Sequence, residues 1–218
     1  MFYKLLTDED VEFCRKHQAK RHFVDGKNTQ KLSKFYDIKQ NKETTICEAV
    51  HERVSDIFTQ SPFTKSVYCP LEVRTQIYNR YTVGDFYDFH VDPFRSSNDN
   101  MRYNYGFSIC LSNEYEGGEF VIRSDVGEFG HQLQAGEVVI FPVIYPHKVA
   151  PITSGIRECL IGWFSSNISY EQSYILRNIQ EVARIHTTLV DNDPSELNKE
   201  LLIKTALIQN YLTTEWGF

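Results

Sequence analysis

No run of about 18 apolar residues occurs in this 218-residue chain, so no segment of it reads as a membrane-spanning helix. The first ten residues, Met1-Phe2-Tyr3-Lys4-Leu5-Leu6-Thr7-Asp8-Glu9-Asp10, lack a basic region ahead of an apolar core, so no secretion signal is expected. Cysteines are few: Cys14, Cys47, Cys69, Cys110 and Cys159, without Cys-x-x-Cys spacing. An odd, scattered set in a chain of this size argues against a disulfide framework or zinc cluster and for reduced thiols in a cytoplasmic protein. An excess of positive charge is also missing. The formal net charge of −6 argues against a nucleic-acid partner. Apolar material is sufficient, at 41% with 14% aromatic, for one large β domain or a β domain with a helical appendage.

Thr7 followed by Asp8, Glu9 and Asp10 reads as a helix N-terminus, with the helix running through Val11, Phe13 and Cys14 towards His17. Residues 25–44 are polar and read as loop. Residues 43–60 place Ile46, Val50, Val54, Ile57 and Phe58 on one helical face. From Glu72 to Ser165 the pattern changes to short β-like runs, near 72–81, 86–92, 104–112, 118–124, 130–134, 137–142, 145–151 and 156–164. Turns punctuate them at Glu116-Gly117-Gly118 and Ala135-Gly136-Glu137. The expected fold is therefore mainly β with flanking helices, around a jelly-roll (double-stranded β-helix) core of about eight strands. After Ser169 two helical segments, about 170–190 and 194–215, are divided by Asp191-Asn192-Asp193-Pro194. Leu201, Leu202, Ala206, Ile208 and Leu212 form an apolar stripe that would pack on the preceding domain, with homodimerisation left open. The expected division is a domain over 1–168 and a helical extension over 169–218.

Against this background one constellation carries chemistry. In an extended His90-Val91-Asp92, residues i and i+2 point to the same face and can grip one ion. His147 follows from a distant strand. Two imidazoles and one carboxylate match the facial triad that holds non-haem Fe(II) with open coordination positions. Arg157 then opens an apolar strand, Arg157-Glu158-Cys159-Leu160-Ile161-Gly162-Trp163-Phe164, where a guanidinium needs an anion. A dicarboxylate co-substrate would supply it. Taken singly, each histidine reads as a hydrogen-bonded core or loop residue; it is the conjunction that points to a metal site.

The segment Tyr81-Thr82-Val83-Gly84-Asp85-Phe86-Tyr87-Asp88-Phe89-His90-Val91-Asp92 resembles the Tyr-x-x-Gly-x-x-Tyr-x-x-His-x-Asp motif of the prolyl 4-hydroxylase-like Fe(II)/2-oxoglutarate dioxygenases. Gly117-Gly118-Glu119-Phe120 and Ala135-Gly136-Glu137-Val138-Val139-Ile140-Phe141 are similar to landmarks of that family. Tyr145-Pro146-His147-Lys148-Val149-Ala150-Pro151-Ile152-Thr153-Ser154-Gly155-Ile156-Arg157 resembles the corresponding segment of bacterial PKHD-type hydroxylases.

The resemblance implies His90, Asp92 and His147 as iron ligands, and 2-oxoglutarate and O2 as co-substrates, with ascorbate admitted as a reductant. It implies that Arg157 pairs with the distal carboxylate of 2-oxoglutarate, a role suited to a planar fork, and that Tyr81 donates to the same co-substrate, a core aromatic with its hydroxyl at the rim being the competing reading. Trp163 shares strand parity with Arg157 and in the family picture lines the substrate side; barrel filling is an equal reading. Tyr87 as a substrate contact requires a bend or bulge, because regular alternation sets it opposite His90. Arg102 is a substrate-carbonyl candidate and equally a solvated surface arginine.

The implied substrate is a peptidyl proline in a peptide or protein. The alternatives are a free amino acid or other small molecule, or a jelly-roll metal- or sugar-binding protein without redox chemistry, in which Arg157 would pair with Glu137 or Glu119. Nucleobase repair is disfavoured because relatives with that activity usually carry a second arginine six residues after the first, where this chain has Trp163. Asp92 disfavours a halogenase, which leaves that position to chloride.

Overall fold

Short apolar runs cut by glycine turns can bury their inward faces only sheet against sheet, and the computed structural model is built that way. The structure describes residues 2–18, 21–29, 37–124, 126–192 and 195–216. Numbering strands in chain order, the larger sheet runs β1 (Phe2–Lys4), β11 (Glu137–Pro142), β7 (Tyr105–Cys110), β14 (Arg157–Ser166), β5 (Pro70–Tyr81), β4 (Lys42–Thr45) and β2 (Val24–Asp25). The smaller sheet runs β10 (Gly127–His131), β9 (Phe120–Ser124), β12 (His147–Val149), β6 (Phe86–His90) and β3 (Lys39–Gln40). A third pair joins β8 (Tyr115–Gly117) to β13 (Ile152–Gly155). The strand pairings are antiparallel, as in a jelly roll.

Period-two alternation decides what each face of the larger sheet does. Along β14, Leu160 and Phe164 join the cluster under the N-terminal helices, while Cys159, Ile161 and Trp163 face the space between the sheets. Helix α1 (Asp8–Gln18) starts in a reciprocal cap: Asp10 N–H donates to Thr7 Oγ1 (3.2 Å) and Thr7 N–H to Asp10 Oδ2 (3.0 Å). Helix α2 (Glu48–Gln60) buries Val50, Val54 and Phe58, and the Phe58 ring lies 4.5 Å from that of Phe107. Helix α3 (Pro62–Tyr68) follows, capped by Ser61. Helix α4 (Tyr170–Asn192) docks by its first turns, with Leu176 buried and Ser173 Oγ accepting from Tyr105 Oη at 2.9 Å. All five cysteines are free thiols. Among the described residues, no helix is long and apolar enough to cross a membrane.

Several sequence expectations need correction. The jelly-roll core itself is as expected, set within fourteen strands among the described residues, and the departures are local. The run at 145–151 holds only β12, and two short strands lie outside the expected runs: β8 ahead of the one at 118–124, and β13 between those at 145–151 and 156–164. The expected loop over 25–44 includes residues 30–36, which lie outside the described residues; the remainder holds a short helical turn (Gly26–Asn28), β3 and β4. These strands carry no apolar alternation. They are defined by pairing to β6 and β5 and by the Lys39–Glu43 ion pair, buried at 2.8 Å. Consequently α2 begins at Glu48 rather than 43, and Ile46 precedes it. The expected separator at 191–194 is shorter: Asp191 and Asn192 belong to α4, and Asp193 and Pro194 lie outside the described residues. Helix α5 (Glu196–Glu215) packs against α4, and of its expected stripe Leu202 and Leu212 are half-buried while Leu201, Ala206 and Ile208 face out.

Candidate active site

His90 ends β6 and His147 opens β12, and the two are paired directly across the sheet. Asp92 follows two residues after the strand. One ligand atom from each of His90, Asp92 and His147 lies within 4.8 Å of the other two. His90 Nε2 is 3.9 Å from Asp92 Oδ1, and His147 Nε2 is 3.7 Å from Asp92 Oδ2. Each imidazole is oriented by its other nitrogen, His90 Nδ1 at 2.9 Å from Asp88 O and His147 Nδ1 at 3.0 Å from Tyr145 O. A carbonyl only accepts, so Nδ1 carries the proton and each Nε2 presents a lone pair inward. Burial, with His147 alongside, holds the His90 pKa down at about 2, which keeps that ring neutral.

Asp92 is fixed from two sides. The Trp163 indole N–H donates to Asp92 Oδ2 at 2.9 Å, and the indole stacks on Tyr103 with ring centroids 5.5 Å apart. Gly106 on β7 leaves space for the carboxylate: a Cβ there would stand 3.0 Å from Asp92 Oδ2 and 2.7 Å from the Phe141 ring. Sequence reasoning misses both supports. Strand parity points Trp163 inward, yet its partner cannot be read from spacing, and a strand glycine alone says only that something comes close.

Arg157 opens β14 opposite Tyr81, on the same face as Trp163, and is 0% exposed. Nη1 donates to Cys159 Sγ at 2.9 Å, whereas Nε and Nη2 have no hydrogen-bond partner among the described residues. Burial raises the pKa of the Cys159 thiol, and raises that of the Tyr81 hydroxyl well above its ordinary value, so these neighbours stay neutral. Among the described residues no carboxylate lies within 4.0 Å of the guanidinium: Glu137 instead accepts from Gln134 N–H (2.8 Å) and lies 3.2 Å from His131, and Glu119 makes no ion pair. The alternative in which Arg157 pairs with Glu137 or Glu119 is thereby overturned. A buried cation with two orphaned donors is costly unless an anion joins it. Its environment fits a bidentate carboxylate.

A cavity of about 540 Å³ opens beside the triad, walled by Ile77, Tyr81, Phe141, Val149, Ile161 and Trp163. Tyr87 also lines it. The β6–β12 pairing shifts register between Tyr87 and His90, so the extra residue turns Tyr87 onto the His90 side, where the two rings stack 3.5 Å apart. Asn79 and Ser108 line the wall, the Asn79 Oδ1 without a hydrogen-bond partner among the described residues, and Lys39 Nζ lies 4.9 Å from the Tyr87 centroid. Arg102 is not brought into this group; it is exposed on a small hairpin, opposite Arg95.

Residues 77–165 match the family model described as the 2OG-Fe(II) oxygenase superfamily. A PKHD-type hydroxylase of Klebsiella pneumoniae subsp. pneumoniae is 32% identical over 173 residues, covering 75% of this chain and 76% of the relative. One from Acinetobacter baumannii is 28% identical over 98% of this chain and 96% of its own length. The fold is similar to that of a Trichoplax adhaerens prolyl hydroxylase, solved with a peptide fragment of the hypoxia inducible factor oxygen degradation domain (TM-score 0.57, 15% identity, 81% of this chain and 86% of that one). It is also similar to that of Streptomyces hygroscopicus HygX, solved with nickel, 2-oxoglutarate and hygromycin B (TM-score 0.55, 11% identity, 76% and 82%).

Proposed function

The chain belongs to the 2OG-Fe(II) oxygenase superfamily as a PKHD-type hydroxylase, and on that premise we propose that His90, Asp92 and His147 hold its iron, that Arg157 receives 2-oxoglutarate, and that the bond oxidised is a C–H bond of a proline in a peptide or protein. The observation that carries the co-substrate assignment is the pair of orphaned donors on fully buried Arg157, whose guanidinium lies 5.5 Å from the ring of Tyr81, a wall residue of the cavity beside the triad. With Fe(II), 2-oxoglutarate and O2 bound, the site supplies oxidation: the co-substrate is consumed to succinate and CO2, and one oxygen atom is transferred to the substrate carbon.

The side chains do the rest. The two imidazoles and Asp92 provide three ligands and leave positions open. Arg157 clamps the distal carboxylate, and the Tyr81 hydroxyl, which makes no hydrogen bond among the described residues, is placed to donate to the same molecule. Ile77, Val149 and Ile161 exclude water. Tyr87, held against His90, contributes an aromatic wall for a proline ring, and Trp163 both lines the cavity and aligns Asp92. No side chain is required as a general base.

Removing the indole N–H while keeping an aromatic ring tests that alignment, with thermal unfolding as the control for the smaller ring. Trp163→Phe should keep the fold and weaken Fe(II) affinity by about 10–100-fold, the usual cost of losing an outer partner of a ligand; an unchanged affinity in equilibrium metal titration would remove the role. The substrate class is tested with proline-containing peptides, Fe(II) and 2-oxoglutarate, by mass spectrometry. Gain of one oxygen atom on proline, absent from alanine-substituted peptides, is expected. The second reading is a small-molecule substrate, and HygX, of similar fold, was solved with hygromycin B; oxidation of small molecules with all peptides inert would select it.

A further inference from the structure

Helix α5 is apolar around most of its circumference, and a helix of that kind belongs under cover. One stripe, with Leu202, Thr205 and Leu212, is turned to α4, where His186 Nδ1 meets Thr205 Oγ1 at 3.1 Å. A second stripe of Leu197, Leu201, Ile208 and Tyr211 is exposed by 38% to 67%. Helix α4 repeats the arrangement. Ile179, Ala183, His186 and Val190 are half-buried on the α5 side, while Ile175, Val182, Ile185 and Leu189 are exposed by 42% to 45%.

With Asn178 and Lys204 included, both outer stripes follow alternating steps of three and four residues, the spacing of a helix-packing seam. Each lies roughly a quarter turn from its own inner stripe at 3.6 residues per turn. Because the helices are antiparallel, those quarter turns rotate to the same side, and the hairpin presents one two-helix apolar face. Its exposed side chains amount to ~700 Å², more than the largest patch usual on a monomer and close to the ~800 Å² per partner of a standard interface. Lys204 is the only charged residue on the two stripes between Ile175 and Tyr211, and Glu200 neutralises it at 3.0 Å.

We infer that this face is covered by the same face of a second copy of the chain, closing a four-helix bundle. A two-helix antiparallel face is self-complementary under a twofold axis, and two hairpins make the layered core such bundles use. A membrane surface is the poorer occupant: α4 carries Glu171, Arg177, Glu181, Arg184 and Asp191, and α5 carries Glu196, Lys199, Glu200, Lys204 and Glu215, a mixture without the basic excess that anionic lipid attracts.

Sedimentation equilibrium tests the inference. At ~50 µM, far above a micromolar Kd, the wild type is expected at twice the chain mass. Ile185→Lys and Ile208→Lys should each raise the dimer Kd at least ~100-fold, as charges placed in the centre of an interface do. Thr187→Lys, on the side of α4 away from this face, should leave it unchanged, and far-UV circular dichroism should show equal helix in all four proteins. A monomeric wild type overturns the inference, whether or not it sediments with phosphatidylglycerol vesicles. A dimer that survives both face substitutions overturns it too, by placing the interface elsewhere.

Discussion

Arg157→Ala is expected to raise the apparent Kd for 2-oxoglutarate by roughly 30-fold to a few thousand-fold while leaving Fe(II) binding within a few-fold of wild type. The magnitude follows from deleting one partner of a buried, hydrogen-bonded charge pair, which costs about 2–5 kcal/mol at 1.4 kcal/mol per tenfold. Two of the guanidinium nitrogens have no hydrogen-bond partner among the described residues, so inside the protein the substitution removes chiefly the contact to Cys159 Sγ and the approach to the Tyr81 and Tyr115 side chains. Arg157→Lys separates charge from geometry. A point charge in the same place restores part of the affinity and none of the bidentate match, so an intermediate Kd is expected. Equilibrium dialysis with labelled 2-oxoglutarate measures both. Should Arg157→Ala lower thermal stability and leave co-substrate affinity unchanged, the residue would be structural and its assignment here wrong.

His147→Ala should be more severe for the metal. Three protein ligands become two, and the remaining pair, His90 and Asp92, sits at the end of β6 without the strand partner that faces His90. Fe(II) affinity is expected to fall by at least ~10³-fold, beyond the 10–100-fold of outer-partner losses, and turnover with it. The imidazole also packs against Phe141 at 4.3 Å between ring centroids, so some stability is lost as well. A thermal-unfolding control distinguishes the two effects: a protein that melts cooperatively near wild type but binds no iron has lost a ligand, whereas a protein that binds iron normally never used His147.

Much of this site is legible in the amino-acid sequence, and the reason is local. His90 and Asp92 are close along the chain, His147 and Arg157 stand in short apolar runs bounded by turns, and strict alternation along β14 puts Arg157 and Trp163 on one face. Tyr87 illustrates where alternation stops. By period two it belongs opposite His90, and only the extra residue between them in the β6–β12 pairing brings the rings together. That register shift has no signature in residue type.

Other features are invisible for a different cause. The strands β2, β3 and β4 are polar, so hydrophobic periodicity is silent about them, and they exist because neighbouring strands offer hydrogen bonds. Gly106 and the Trp163 N–H act on Asp92 across the interior, at distances set by tertiary packing. The helical character of the C-terminal segment is readable from its residues, but its docking is not. An apolar stripe states that cover is needed without naming what provides it.

The most direct measurement is anaerobic titration of the wild-type protein with Fe(II) and 2-oxoglutarate together. A weak visible charge-transfer band is expected, absent with either component alone, saturating at a single iron per chain, abolished by His147→Ala, and shifted to higher 2-oxoglutarate concentration by Arg157→Ala. A folded wild type that binds Fe(II) and 2-oxoglutarate without the band, or a band that survives loss of His147, would contradict the placement of metal and co-substrate on these four side chains.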